Sequence, residues 1–428
     1  MQYTEMSKQA LAAEYEQVKH AYDRLAAAGY SLDLSRGKPA ADQLDLSMSL
    51  LEEPLSREDC RLAGGMDARN YGVPAGIPAM RAFWASITGL PAEQIYVGGN
   101  SSLSLMYETI ARGMLYGMAD SPRPWCMEPK RKFLCPAPGY DRHFAITEAL
   151  GFELIPVEMR MDGPDMDAVE RLAADPDVKG IWCVPKYANP TGITYSDDVV
   201  YRFASMKTGA PDFTVMWDNA YAVHDLSEDD GDVLANVFAY AKECGTEERF
   251  CYFSSTSKIT LPGAGVSMIA TGPRNFERHM QMMSVKTIGY DKINQLRHLR
   301  ALPDAEAVKR QMYRHAALLR EKFAILENVL SRDLGGTGCA TWTHPKGGYF
   351  VSLDVLDGCA KRTYELARAA GVTLTQVGAT FPYGKDPRDA NLRLAPTYPT
   401  ASDLLLAAEV LTVSVRLAVL EKLIKKAN

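Results

Sequence analysis

The sequence predicts an α/β protein in which a mostly parallel sheet lies between helices and a smaller α+β unit follows. Three observations support this. Short apolar runs alternate with amphipathic stretches through the middle of the chain, as in repeated strand–helix units. The 428 residues suffice for roughly two domains at ~150 residues each. From Asp304 a long Ala-, Leu-, Arg- and Glu-rich stretch replaces that alternation, and isolated strands and helices come after it.

In chain order, an amphipathic helix is expected over Glu5–Ala28, ended by Gly29 as a C-cap glycine. An extended segment with Gly and Pro follows, Leu34-Ser35-Arg36-Gly37-Lys38-Pro39. Strand–helix pairs come next: Gln94–Val97 with Leu103–Met118, Lys132–Cys135 with His143–Leu150, and Phe152–Val157 with Met166–Leu172. Gly180–Val184 with Asp197–Met206 and the strand Thr214–Trp217 continue the series. A long helix over Asp304–Leu330 leads to a strand (Gly348–Leu353), a helix (Lys361–Ala370), a strand (Asn391–Ala395) and a last helix (Ser402–Ile424). The expected division is residues 1–50 as an N-terminal helix and arm belonging to the small domain, 51–300 as the large domain and 301–428 as the small domain. The connection Leu296–Pro303 is open to being helical.

Hydrophobic and charged contents of 47% and 23% are those of an ordinary soluble globular protein. A net charge of −6, spread along the chain, argues against a nucleic-acid or anionic-membrane surface. The acidic run Glu228-Asp229-Asp230 reads as a solvated loop. The eight cysteines are scattered without a CxxC pair or His–Cys cluster, which suggests reduced thiols and no zinc. No signal pattern opens the chain and no run approaches ~18 apolar residues, so a cytoplasmic location without membrane contact is expected. No GxGxxG follows the first strand, against a nucleotide-binding oxidoreductase.

Several short motifs carry polar groups at the predicted strand ends. Lys258 lies in Ser254-Ser255-Thr256-Ser257-Lys258-Ile259-Thr260, after the apolar run Phe250–Phe253. A lysine among small hydroxyls suits an amine that bonds an aldehyde cofactor while the hydroxyls hold a phosphate, though most lysines are solvated charges. Asp218 closes the strand before Asn219-Ala220-Tyr221, where it could meet a pyridinium or cap the next turn. Tyr221 could donate to a phenolate oxygen or simply pack. Asn189-Pro190-Thr191-Gly192 stands 29 residues before Asp218, and Asn189 either aims its amide above the strand end or forms an ordinary turn. In Gly98-Gly99-Asn100-Ser101-Ser102 the free amides of a helix start favour a phosphate, with Ser255 and Ser257 adding hydroxyls. Tyr140, in Pro136-Ala137-Pro138-Gly139-Tyr140, could stack on a ring or cover a loop. Arg393, in an apolar strand, needs an anion, either a substrate carboxylate or a structural ion pair.

The order GGNSS, PGY, NPTG, DNAY, STSK and NLRLAP resembles the class I/II aminotransferases, the aspartate aminotransferase-like group of fold-type I pyridoxal phosphate enzymes, over nearly the whole chain. It is most similar to a divergent bacterial subgroup. The resemblance implies a seven-stranded type of sheet and pyridoxal 5'-phosphate joined to Lys258. It further implies Asp218 as partner of the pyridine nitrogen, Asn189 and Tyr221 on the phenolate oxygen and Tyr140 on the ring. Gly99, Asn100, Ser101, Ser255 and Ser257 would bind phosphate, joined by Tyr71 from across a homodimer interface. Arg393, Asn189 and the backbone at Gly37 would hold the substrate. One departure stands out: the family's phosphate-binding arginine, eight residues after the lysine, is here Val266.

The expected reaction is amino transfer between an L-amino acid, with aspartate or glutamate the family-level expectation, and a 2-oxo acid. Lys258 would move the Cα proton. Lys38, Arg142, Lys292 and Arg297 are the candidate cations for a distal carboxylate. Two alternatives stay open: a β- or γ-lyase or synthase on the same fold, and a non-catalytic regulatory protein retaining it.

Overall fold

The structure, a computed structural model, describes residues 2–427; Met1 and Asn428, at the ends of the two predicted terminal segments, lie outside the described residues. Its centre is an eight-stranded sheet. The strands are β1 (Ile95–Val97), β2 (Lys132–Ala137), β3 (Glu153–Arg160), β4 (Gly163–Pro164), β5 (Val178–Cys183), β6 (Thr214–Asp218), β7 (Phe250–Ser255) and β8 (Ser267–Thr271). They lie side by side in the order β1-β8-β7-β6-β5-β2-β3-β4. The five strands β2, β3, β5, β6 and β7 are mutually parallel, while β8 runs antiparallel to β7 and β1. The expected seven-stranded sheet gains an eighth member in β4, two residues that turn back on the edge of β3.

Strand periodicity divides the side chains between two cores. Val215 and Trp217 of β6, with Ile181 and Phe250, join the core on one face. Met216, with Trp182, Cys251 and Phe253, joins the other. Burial on both faces explains why these strands read as continuous apolar runs rather than alternating ones.

The first predicted helix is divided. A 3-10 turn at Tyr3–Glu5 precedes α1 (Lys8–Ala26), because the Ser7 hydroxyl accepts from the Ala10 amide at 3.2 Å and starts the helix there. The C-cap is Ala27; Gly29, left-handed at φ +68°, lies just beyond it. Helix α2 (Ser102–Tyr116) follows β1, and α3 (Asp141–Ala149) follows β2. The connection at Leu296–Pro303 is helical as far as Ala301. Asp304 then caps α4 (Ala305–Leu334), accepting from Ala307 N at 2.7 Å. Here the chain turns to a small antiparallel sheet of β9 (Ala340–Trp342), β10 (Val351–Val355) and β11 (Asn391–Leu394), and to α5 (Ala401–Ala427).

The two chain ends share a third core. Leu11, Val18 and Tyr22 of α1 pack with Leu326 and Leu330 of α4, Leu353 of β10 and Leu404, Leu411 and Leu420 of α5. Arg416 fastens the ends, donating to Tyr3 Oη at 2.8 Å and Glu14 Oε1 at 2.6 Å. Among the described residues no helix is long and apolar enough to cross a membrane.

Candidate active site

A cavity of about 360 Å³ opens where the parallel strands end, bounded on its far side by β11 of the terminal unit. Crevices beyond the carboxyl ends of strands are where open α/β sheets bind ligands. Gly37, Ser101, Tyr140, Asn189, Asp218, Tyr221, Ser255, Ser257, Lys258 and Arg393 all line it. Three other sequence candidates do not. Gly99 and Asn100 lie beside it, their carbonyls turned to other duties. Gly99 O accepts from Ser267 N (2.7 Å) and Oγ (2.8 Å), and Asn100 O accepts from Ser257 Oγ (3.1 Å), so this turn is tied to the Lys258 loop. Tyr71 is 81% exposed on the outer surface, away from the cavity.

Lys258 lies just past β7, its amine 4.8 Å from the Tyr221 ring centre and 5.9 Å from that of Tyr349. Burial pushes this amine below its usual pKa, with Asp218 pulling the other way. A lysine so placed holds its neutral, nucleophilic form at lower pH than a surface lysine. Burial drives the Tyr221 phenol well upward and the Tyr140 phenol up to about 12, so both remain O–H donors.

Asp218 ends β6 and is 4% exposed. Its Oδ2 accepts from His143 Nε2 at 2.9 Å, whereas Oδ1 is buried with no partner. A buried carboxylate oxygen left unpaired is costly, and a cationic or N–H donor in the cavity would satisfy it. His143 is stacked on Trp182 (4.4 Å, 10°) and meets Tyr140 edge-on at 4.9 Å. Sequence reasoning missed His143, placing it only as the start of a helix. The available signal was its spacing: three residues after Tyr140, on the same face of α3's first turn.

Arg393 projects from β11. Its guanidinium lies 5.1 Å over the Phe350 ring, its Nε donates to Thr375 Oγ1 (3.3 Å), and its Nη1 donates to Asp141 Oδ1 (2.9 Å) and Asn189 Oδ1 (3.3 Å). Gly37 is confined by the same ring: a Cβ there would stand 2.0 Å from Phe350 Cζ. Phe350 and Asp141, both at the cavity wall, were also unforeseen. Of the four candidate distal cations, only Arg142 lines the cavity, and it has no ion-pair partner among the described residues. Lys38 instead covers the Tyr398 ring at 4.2 Å, and the buried Lys292 donates to Gly72 O at 3.2 Å.

Val266 is 2% exposed in the sheet core, where its backbone N donates to Thr256 Oγ1 at 2.9 Å. The loop is thus closed by threonine hydrogen bonds at the place where an arginine was expected. The buried amine and the unpartnered Asp218 oxygen, set in one cavity with serine hydroxyls, fit a pyridine aldehyde carrying a phosphate.

Comparison with known proteins identifies the family. The family model described as aspartate amino-transferase matches residues 6–427. A Mycolicibacterium smegmatis protein named as an aminotransferase is 49% identical over 426 residues, covering 99% of both chains. The aspartate aminotransferase of Corynebacterium glutamicum is 46% identical over 407 residues, covering 95% of this chain and 94% of that protein. The crystal structure of an aspartate transaminase from the same organism superposes with a TM-score of 0.96 at 44% identity, covering 99% of each chain. The chain therefore belongs to the aspartate aminotransferase family of amino-group-transferring enzymes.

Proposed function

We propose that the protein exchanges an amino group between an L-amino acid, aspartate or glutamate among the candidates, and a 2-oxo acid, using pyridoxal 5'-phosphate held at Lys258. The observation that carries this is the pairing, in one cavity, of a buried Lys258 amine with the open Oδ1 of Asp218. When bound, the cofactor supplies a conjugated pyridine ring that takes up the electron pair left at Cα on proton removal.

Lys258 would hold the cofactor through its amine and, when that amine is free, would move the proton at the substrate's Cα. Asp218, held in place by His143, would keep the ring nitrogen protonated. Asn189 and Tyr221 would donate to the phenolate oxygen, and Tyr140 would cover a ring face. Ser101 at the N-cap of α2, with the Gly99–Asn100 turn just before it, and Ser255 and Ser257 would take the phosphate, with Tyr71 of a second copy completing it in a homodimer. Arg393, assisted by Asn189 and the Gly37 backbone, takes the α-carboxylate. Arg142 is the cation best placed for a distal carboxylate. A cytoplasmic role in amino-acid biosynthesis accords with this chemistry.

The test is to give the cofactor-loaded protein one L-amino acid and no acceptor. Transamination yields one equivalent of the matching 2-oxo acid per site, and the amino group stays on the cofactor. Continued release of ammonia would overturn the proposal in favour of a lyase.

A further inference from the structure

Arg393 is already occupied by a carboxylate of its own chain. Its Nη1 donates to Asp141 Oδ1 at 2.9 Å and is shared with Asn189 Oδ1 at 3.3 Å, while Nε is turned to Thr375. Only Nη2 has no protein partner among the described residues. Two-pronged recognition of a carboxylate requires two N–H groups presented side by side. An incoming carboxylate that uses both terminal nitrogens therefore has to share or displace the Asp141 contact.

The two partners differ in freedom. The Arg393 side chain is 10% exposed and clamped by Phe350 and Thr375, whereas that of Asp141 is 32% exposed and sits in the first turn of α3. Of the two, Asp141 is the one able to turn toward water. It is also adjacent to Tyr140 and Arg142 on the cavity wall, so its movement takes place beside the bound substrate.

We propose that Asp141 is a built-in stand-in for the substrate's α-carboxylate, pairing with Arg393 in the empty site and yielding it on binding. Asp141 is thus a positioning residue that keeps the guanidinium aimed and lowers its apparent affinity for every carboxylate substrate alike. The proposal rests on Arg393 as the α-carboxylate site. A self-occupied site weakens ligand binding by the fraction of molecules in which the site is free.

The test is calorimetric binding of succinate, which cannot react, to the cofactor-loaded enzyme and its variants. Asp141→Asn keeps the shape and removes the charge, and should tighten succinate binding by about tenfold. KM for amino acid and oxo acid should fall in parallel with kcat little changed, and Asp141→Glu, which restores the charge, should return toward wild type. The gain must vanish in an Arg393→Lys background, which separates exchange on Arg393 from a general change in cavity charge. Unchanged or weaker succinate binding by Asp141→Asn overturns the proposal, as does a gain that persists without Arg393. If wild type binds succinate and Arg393→Lys abolishes that binding while Asp141→Asn does nothing, the Asp141 proposal alone fails. If Arg393→Lys binds as wild type does, the carboxylate role of Arg393 fails with it.

Discussion

His143 Nε2 and Asp218 Oδ2 lie 2.9 Å apart, both almost wholly buried, with the imidazole N–H donating to the carboxylate. This bond fixes which Asp218 oxygen faces the cavity. His143→Ala would free the carboxylate and leave it less well partnered. Orienting partners of this kind typically contribute about 10- to 100-fold, so kcat should fall by that order and the cofactor should dissociate faster. Unaltered kcat and cofactor retention would show that Asp218 needs no support.

On the proposed reading, Lys258 is both attachment point and proton carrier. Lys258→Ala should lower turnover by at least about 10²- to 10⁴-fold. Lys258→Arg should be no better, since a guanidinium stays protonated. Mass spectrometry after borohydride reduction should find the cofactor fixed to wild type and to neither variant.

Val266 occupies the family's usual arginine position, yet lies in the sheet core at 2% exposure. Val266→Arg should therefore not improve phosphate binding. An uncompensated buried charge costs about 3–5 kcal/mol, a loss readable as a lower urea midpoint. A stabilised variant with tighter cofactor binding would mean that the loop can open to accept the family's arrangement.

Gly37 touches Phe350, which in turn lies under Arg393. Gly37→Ala should displace the ring and disturb the guanidinium, raising KM for amino and oxo acids by about tenfold with the fold intact. Steady-state kinetics would check this, and an unchanged KM would mean that the ring yields without moving Arg393.

Four of the five buried histidines should govern acid stability. Burial holds His224 and His279 well below their usual pKa, lowers His298 and pushes His315 down to about 4. The unfolded chain takes up these protons first, so their contribution to stability is complete above about pH 6.5 and is lost as pH falls toward 4. At roughly 1.4 kcal/mol per pKa unit, His315 alone accounts for about 3 kcal/mol. Urea midpoints should drop across that interval, and His315→Gln should flatten the drop.

What could be read from the chain divides along physical lines. Strands β2, β5 and β6 announced themselves as apolar runs, and Asp218 and Lys258 as polar residues at strand ends. Each was legible from the motif in its own loop. His143, Asp141 and Phe350 were missed because each acts through a partner distant in sequence. Asp141 meets Arg393 across 252 positions and His143 meets Asp218 across 75, distances over which periodicity carries no information. The eighth strand escaped because two residues of edge pairing leave no pattern. The helix start at Lys8 was misjudged for a smaller reason, a single serine cap.

The fastening of Tyr3 to Arg416, 413 positions apart, also governs how the molecule comes into being. During synthesis α1 is made well before α5 and must wait, its apolar side uncovered, until α5 has left the ribosome. Arg393 lies on β11, just before α5, so a nascent chain holds Lys258 and Asp218 well before the residue proposed to take the carboxylate. Contacts of such long range slow folding and prolong exposure of sticky surfaces. The docking of α1 and the completion of the cavity wall by Arg393 thus wait on neighbouring stretches of chain.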